Sequence, residues 1–268
     1  MYTPDATSKL VPVLATIVLF VAGSTINDPI RAQATATEEP SLESLEGSML
    51  YRVLTLRAAP GEFDAWLEAI PKIRAAYEAR GDLAPFVLRH SQGDHWDFML
   101  IEPWGGFADY VSGERMQRRM EAPDAMALLQ TWLDDAPAFR EDLFALGPDV
   151  ELLTTLFTDN DLYHVEMFHA LPRKKAELLA QRRMENDYLR RTGQVANTIW
   201  SGIGGTDVDV FTIGFHADLA SFAAGSRMTP TEKDREAREA GFESVGAISG
   251  FLRGLLSRHQ DTLSVPAF

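Results

Sequence analysis

The amino-acid sequence predicts an α+β fold made of two fused βαββαβ repeats, with the helices on one face of each sheet. The chain matches itself when it is shifted by 112 residues, and both copies alternate extended and helical segments in the same order. The register runs without gaps from Met49 over Asp161 to Gly113 over Gly225. Of its 65 columns 13 are identical, against about 4 expected from ordinary residue usage. These observations indicate an internal duplication.

Each copy begins with an extended run, residues 50–58 or 162–170, which predicts the first strand. A helix follows, and it is expected to end at Gly81 in the first copy and at Gly193 in the second. Phe63, Trp66 and Ile70 recur at helical spacing, which predicts a helix that packs its apolar face on a sheet.

Two further strands come next in each copy, joined by a turn that contains glycine. They cover residues 86–90 and 96–101 in the first copy, and 198–201 and 208–213 in the second. After a more helical stretch, the fourth strand is expected at residues 151–157 and 261–268.

The N-terminal segment is typical of an export signal. Residues 10–23 form an apolar run after Lys9, and Ala32 and Ala34 provide a small-residue cleavage site. We expect a signal peptide at 1–34, a polar acidic linker at 35–48, and repeats at 49–157 and 158–268, in a periplasmic or extracellular protein. A retained membrane anchor is the alternative. A spanning helix needs about 20 apolar residues, more than this run provides, so we expect the signal to be removed and no stable membrane span to remain.

Charge and composition exclude several functions. The formal net charge is -14, with 25 Lys and Arg against 39 Asp and Glu, so binding of nucleic acid is not expected. The sequence contains no Cys, which excludes disulfides, thiolate metal sites and cysteine nucleophiles. Neither a serine-nucleophile motif nor a His-Glu-x-x-His zinc motif is present.

The first copy begins with a Tyr-led strand from Tyr51, followed by the Pro60-Gly61 pair and an amphipathic helix. In these features it resembles NIPSNAP-like proteins, which belong to the dimeric α+β barrel superfamily with the antibiotic-biosynthesis monooxygenases and several haem-handling enzymes. The second copy keeps Tyr163 and Pro172 but departs from the pattern after them. This resemblance implies two ferredoxin-like units whose sheets form a barrel within one chain, with a small, often aromatic ligand inside.

The two faces of the first strands differ in their chemistry. Strand alternation separates two sets of side chains, of which one is Tyr51, Val53, Thr55, Tyr163, Val165 and Met167, and the other is Arg52, Leu54, Leu56, His164, Glu166 and Phe168. The resemblance places the second set in the barrel. We therefore expect His164 to act as a general base oriented by Glu166, or both to bind a metal, although an exposed polar pair is the alternative.

Four other residues are candidates for contact with a ligand. Arg52 and Phe168 belong to the set placed in the barrel, Trp200 could stack on an aromatic ring, and His216 follows the strand that should reach the barrel mouth. Burial in the core is the alternative role for Trp200.

Three functions remain open at this point. The first is an oxygenase-type enzyme without a dedicated organic cofactor, acting on a small apolar or aromatic molecule. The second is a non-catalytic binding protein, with haem as a candidate ligand and His164 or His216 on its iron. The third is a structural or interaction protein whose barrel is filled by its own side chains. Homo-oligomer formation is left open.

Overall fold

The computed structural model describes residues 39–268. The predicted export signal and the first residues of the predicted linker lie outside this part of the chain. Among the described residues, no helix is long and apolar enough to cross a membrane.

The two repeats have the predicted order of their first elements. The first repeat contains strands β1 (Met49–Ala58), β2 (Phe86–Gln92), β3 (Phe98–Gly105) and β4 (Pro137–Gly147), and helices α1 (Phe63–Ala79), α2 (Phe107–Tyr110), α3 (Gly113–Met120) and α4 (Pro123–Leu129). A π-helical turn, Gln130–Asp135, leads into β4, and α5 (Val150–Asp159) joins the repeats. The second repeat contains β5 (Leu162–Ala170), β6 (Thr198–Gly204), β7 (Val210–His216) and β8 (Leu256–Pro266), with α6 (Lys175–Arg191), α7 (Leu219–Ala223), α8 (Pro230–Glu239) and α9 (Ala247–Arg253).

The eight strands form one closed antiparallel barrel in the order β1-β3-β2-β8-β5-β7-β6-β4. Two strand pairs join the repeats: β2 pairs with β8, where His90 lies opposite Ser264, and β4 pairs with β6, where Leu146 lies opposite Ser201. The two copies therefore pair with each other within one chain, as the sequence predicted, and this pairing leaves no open edge in the barrel.

Large apolar side chains from both repeats fill the barrel. Trp200 is fully buried there, stacks on Phe211 with 5.0 Å between ring centroids, and contacts Tyr51 edge-on. Both tyrosines at the start of the repeats donate their hydroxyl groups to loop carbonyls, Tyr51 to Pro148 at 2.6 Å and Tyr163 to Asn160 at 2.9 Å. The interior is therefore a packed core in which the hydroxyl groups of both tyrosines are satisfied at its ends.

The expected orientation of the first strands is wrong. Tyr51, Val53, Tyr163, Val165 and Met167 point into the barrel. The set that contains His164 lies on the outer faces, which the helices cover: Leu54 and Leu56 pack under α1, and Phe168 packs under α6. Both faces of β1 are largely apolar, so alternation alone could not say which face is inside. In β5, His164 and Glu166 face outward because the closed interior would offer their polar groups no water.

The expected fourth strand of the first repeat is also wrong. Residues 151–157 lie in α5, and β4 begins instead at Pro137. Leu153 is fully buried against the barrel interior, and Leu156 and Phe157 pack beside it at helical spacing, so α5 covers one end of the barrel. In the second repeat β8 contains most of the predicted segment but begins at Leu256.

The last residues before β1 contact the second repeat. Leu45 lies in a short 3-10 turn, Glu43–Leu45, and is buried. Glu46 forms a two-pronged ion pair with Arg183 of α6, at 2.7 and 2.8 Å. This part of the predicted linker thus packs on the barrel unit.

The packed interior leaves no room for a side chain at Gly147. A Cβ at Gly147 would overlap the indole ring of Trp200, which has no free space to move into, whereas a Cβ at Gly204 meets nothing within 4 Å. We expect Gly147→Ala to lower the free energy of unfolding by about 1–3 kcal/mol through overpacking. Gly204→Ala is the matched control in a neighbouring strand. Equal midpoints of the two variants in urea would show that Trp200 does not point inward.

Candidate functional site

A cleft of about 290 Å³ opens on the outer side of the second repeat, between the barrel sheet, the end of α6 and the segment around α7. Its inner end is polar, and its walls carry an aromatic ring and aliphatic side chains. The residues that line it include His164, Glu166, Leu189, Val195, His216 and Phe222. The volume is at the lower end of the range for small-molecule sites, about 300–1,000 Å³.

His164 lies at the inner end of the cleft and is held by an acidic side chain. Its Nε2 atom is 3.0 Å from Oδ1 of Asp261 on β8. Burial alone would lower the pKa of His164, but the hydrogen bond to Asp261 and the charge of Glu166 together raise that pKa above its ordinary value. The partner of His164 is thus Asp261, not the expected Glu166.

Glu166 lies between the sheet and α6, where three groups surround its carboxylate. His259 Nε2 is 3.3 Å from Oε1, the Thr212 hydroxyl donates to Oε2 at 3.3 Å, and Arg182 lies 3.7 Å away. Burial would raise the pKa of Glu166, but His259 and Arg182 lower it below its usual range. The carboxylate is therefore charged at neutral pH although it is nearly buried.

His216 lines the same cleft as His164. The ring of Phe222 lies beside both imidazoles, with 5.1 Å between its centroid and that of His216 and 5.2 Å to that of His164. Burial, and to a lesser extent His164, lowers the pKa of His216, so this imidazole is neutral at pH 7. Its Nδ1 is buried and has no hydrogen-bond partner in the part of the chain that the structure describes.

The other three predicted ligand contacts lie elsewhere. Arg52 is on the outer face of the first repeat, in ion pairs with Asp142 and Glu102. Trp200 is inside the barrel. Phe168 is buried under α6, with His259 stacked on its ring at 4.8 Å. The structure therefore brings together His164, Glu166 and His216 and separates them from Arg52 and Trp200.

A comparison of the repeats explains why the cleft exists in the second one. At the shift of 112 residues, His164, Leu189 and Gly214 correspond to Arg52, Tyr77 and Glu102. In the first repeat these larger side chains fill the space above the sheet, and the Tyr77 hydroxyl is hydrogen-bonded to Glu102. All three side chains are smaller in the second repeat. A Cβ at Gly214 would lie 2.6 Å from Asn197 Oδ1 and 3.1 Å from His216 Nε2, so glycine keeps this floor open.

The equivalent groove of the first repeat is held together by charge. The side chain of Asp82 is 2% exposed and binds three arginines: Arg115 Nε at 2.5 Å, Arg80 Nε at 2.6 Å and Arg119 Nε at 3.1 Å. Trp104, which occupies the position of His216, stacks on Tyr110. This groove is therefore lined by a paired ionic network, whereas the cleft of the second repeat is lined by two imidazoles.

Asp261, His259 and Phe222 were not among the site residues predicted from the sequence. A signal for the first two exists, because His259-Gln-Asp261 on β8 repeats the spacing of His164-Val-Glu166 on β5. Recognising it requires knowing that Glu166 lies opposite Asp261 in the barrel. Ligand atoms of His164, Glu166 and Asp261 lie within 4.8 Å of one another, so these three residues could hold a metal ion.

Comparisons with known proteins identify the fold. No protein-family profile and no curated protein sequence matches the chain. An anthrone oxidase-like protein superposes with a TM-score of 0.55 at 13% identity, over 82% of this chain and 92% of that chain. Chlorite dismutase from Candidatus Nitrospira defluvii gives a TM-score of 0.44 at 12% identity, over 84% and 95%. The closed barrel of the chain and the superposition on the anthrone oxidase-like protein confirm the predicted α+β barrel fold, whereas the closer resemblance to NIPSNAP-like proteins stays a prediction.

The Asp82 cluster predicts an acid-sensitive part of the fold. Burial would raise the pKa of Asp82, but its hydrogen bonds to Arg119 and Arg115 lower it below the ordinary value. This stabilisation is therefore complete above the pKa of an unfolded Asp, about 3.9, and is lost as the pH falls through the folded-state pKa. We expect Asp82→Asn to cost about 3–5 kcal/mol at pH 7, because buried arginines lose their counter-charge.

Urea unfolding at pH 7 and at pH 3 measures this effect. The wild type should lose more stability between these pH values than the variant does. Asp109→Asn, an exposed change in the same groove, is the control and should stay within about 0.5 kcal/mol of wild type. An Asp82→Asn variant as stable as the control would contradict the ionic role of the cluster.

Proposed function

We propose that this protein binds a small aromatic molecule with a hydroxyl group in the cleft of the second repeat and acts on it as an oxygenase-type enzyme. The observation that carries the proposal is the cleft itself, in which two imidazoles and a charged carboxylate converge beside Phe222. A pocket with an apolar wall and a few convergent polar groups is the usual form of a small-molecule site.

The cleft has two parts: one suits the aromatic ring of a ligand, and the other suits its polar group. Phe222, Leu189 and Val195 offer aromatic and aliphatic surface to a planar ligand. The hydroxyl group of the ligand would lie at the inner end, where the neutral imidazole of His216 lines the cleft and can accept or donate a hydrogen bond. A phenol or an enol fits both parts.

Two features favour chemistry over simple storage. The polar groups of the inner end have pKa values shifted by burial and by specific partners, as is common where proteins perform proton transfer. The structural neighbour named as anthrone oxidase-like shares the fold, and its name indicates oxidation of an aromatic compound. The barrel interior, in contrast, is occupied by the protein's own side chains, so we do not place the ligand there.

Filling the cleft tests the proposal. Leu189→Tyr introduces the residue that the first repeat has at the equivalent position, and we expect it to weaken binding of 1-naphthol at least tenfold by occupying the ring site. Leu219→Tyr, an exposed change on α7 outside the cleft, is the matched control. Fluorescence titration of the full chain measures both affinities, and oxygen uptake with 1-naphthol measures turnover.

Two outcomes would contradict the proposal. Equal affinity of Leu189→Tyr and wild type would place the ligand outside the cleft. A Soret band on addition of haem that disappears in His216→Ala, with no binding of 1-naphthol, would replace the proposal by the alternative of a haem-binding protein.

A further inference from the structure

We propose that His164, Glu166 and Asp261 bind one divalent first-row transition-metal ion at the inner end of the cleft. The inference deepens the proposed function, because it names a cofactor for the same cleft. It rests on the proposed function for the identity of the molecule that would contact the metal. Four observations carry it: the register of two strands, a comparison of the repeats, the local charge and the types of ligand.

The strand register brings the ligands together. Glu166 on β5 lies directly opposite Asp261 on β8, and His164 is two residues earlier on the same face as Glu166. The ligand atoms of the three residues lie within 4.8 Å of one another, and His164 Nε2 is already 3.0 Å from Asp261 Oδ1. Metal–ligand bonds of about 2.0–2.2 Å allow ligand atoms to be about 4 Å apart. The half-exposed side chain of Asp261 can close the remaining distance by a small rotation.

The first repeat shows what the same strand positions do without a metal. There Leu54 lies opposite Asp142, and Leu56 lies opposite Arg140, so Asp142 and Arg140 correspond to Asp261 and His259. Arg52, the counterpart of His164, binds Asp142 with Nη2 at 2.5 Å, and Arg140 binds it with Nε at 2.6 Å. Two permanent cations thus bind Asp142, and they also pair with Glu102 and Asp134.

In the second repeat each of these groups has become a metal-ligand type. His164 replaces Arg52, His259 replaces Arg140, and Glu166 replaces Leu54. Imidazole can donate a lone pair to a metal, whereas guanidinium cannot, because it stays protonated. The strand positions that form an ion-paired group in the first repeat therefore carry two imidazoles and two carboxylates in the second repeat.

The exchange removes two permanent cations from these strand positions, and a metal cation would take their place. Glu166 and Asp261 lie opposite each other on paired strands, so both carboxylates lie in this region. Arg182 is the cation that approaches Glu166, at 3.7 Å, but its guanidinium is also paired with Glu185. The other basic side chains that pair with Glu166 and Asp261 include His164 and His259, of which His164 must be deprotonated to bind a metal.

The ligand types select the class of metal. One imidazole and two carboxylates, in a chain without cysteine, suit Mn²⁺, Fe²⁺, Co²⁺ or Zn²⁺ rather than a thiolate-bound ion. His259 Nε2, 3.3 Å from Oε1 of Glu166, is the outer partner that would orient this carboxylate. Because His164 and Glu166 also line the cleft, the remaining coordination positions would face the bound molecule.

Titration of the untagged full chain with Co²⁺ tests the inference directly, since its visible absorption reports the ligands. We expect one Co²⁺ per chain, with affinity reduced about 100-fold or more in Asp261→Asn and Glu166→Gln, and about 10- to 100-fold in His259→Ala. Asp142→Asn is the matched control, because Asp142 has the position of Asp261 in the repeat without histidines, and its Co²⁺ affinity should equal that of wild type.

A further variant keeps the test valid if single substitutions unfold the protein. The combination of His164→Arg, Glu166→Leu and His259→Arg installs the first repeat's side chains, which that repeat accommodates on equivalent strands. It should fold, as circular dichroism would show, and should bind no Co²⁺. Stoichiometric binding by this variant, or no binding by folded wild type, would overturn the inference.

The metal site and the proposed function are tested by separate measurements, so either one can be contradicted alone. Affinity for 1-naphthol is measured on protein treated with a chelator, and Co²⁺ binding is measured without 1-naphthol. Co²⁺ binding without naphthol binding would remove the proposed function and leave the metal site. Naphthol binding with no Co²⁺ binding would remove the metal site alone.

Discussion

The structure depends on the closure of one eight-stranded barrel around an interior that both repeats fill. The pairs β2–β8 and β4–β6 join the copies, and neither copy could cover its own inner face without the other. Because the interior excludes water, charged side chains there would lose their solvation without compensation. The polar residues of β5 are thereby directed outward, to the layer between the sheet and α6. Any chemistry that uses His164 or Glu166 must take place in that layer.

Duplication allows the two outer layers to diverge while the interior stays the same. In the first repeat Arg52, Tyr77 and Glu102 fill the space above the sheet, and Asp82 binds its three arginines in the adjoining groove. In the second repeat smaller residues leave a cleft. One repeat therefore contributes stability through buried ion pairs, and the other can carry a binding site.

The electrostatics of the second outer layer connect the cleft with the proposed metal. A buried glutamate stays ionised only where cations or hydrogen-bond donors compensate for its lost hydration. Arg182, His259 and Thr212 provide this for Glu166 in the structure. A divalent ion would add to that compensation and would explain why histidines stand where the first repeat has arginines. The ligand of the cleft and the metal would then meet at His164.

The sequence by itself determined the duplication, the order of most elements and the residues with chemical potential. The repeated glycines and strand cores are local signals, so His164, Glu166 and His216 could be found without a structure. Which face of β5 lies inside was decided only by tertiary structure, because alternation separates two faces but does not identify them. The fourth strand was misplaced since α5 is specified by its contacts with the barrel end. Asp261 is 97 residues from His164 in the chain, and only the pairing of β5 with β8 brings them together.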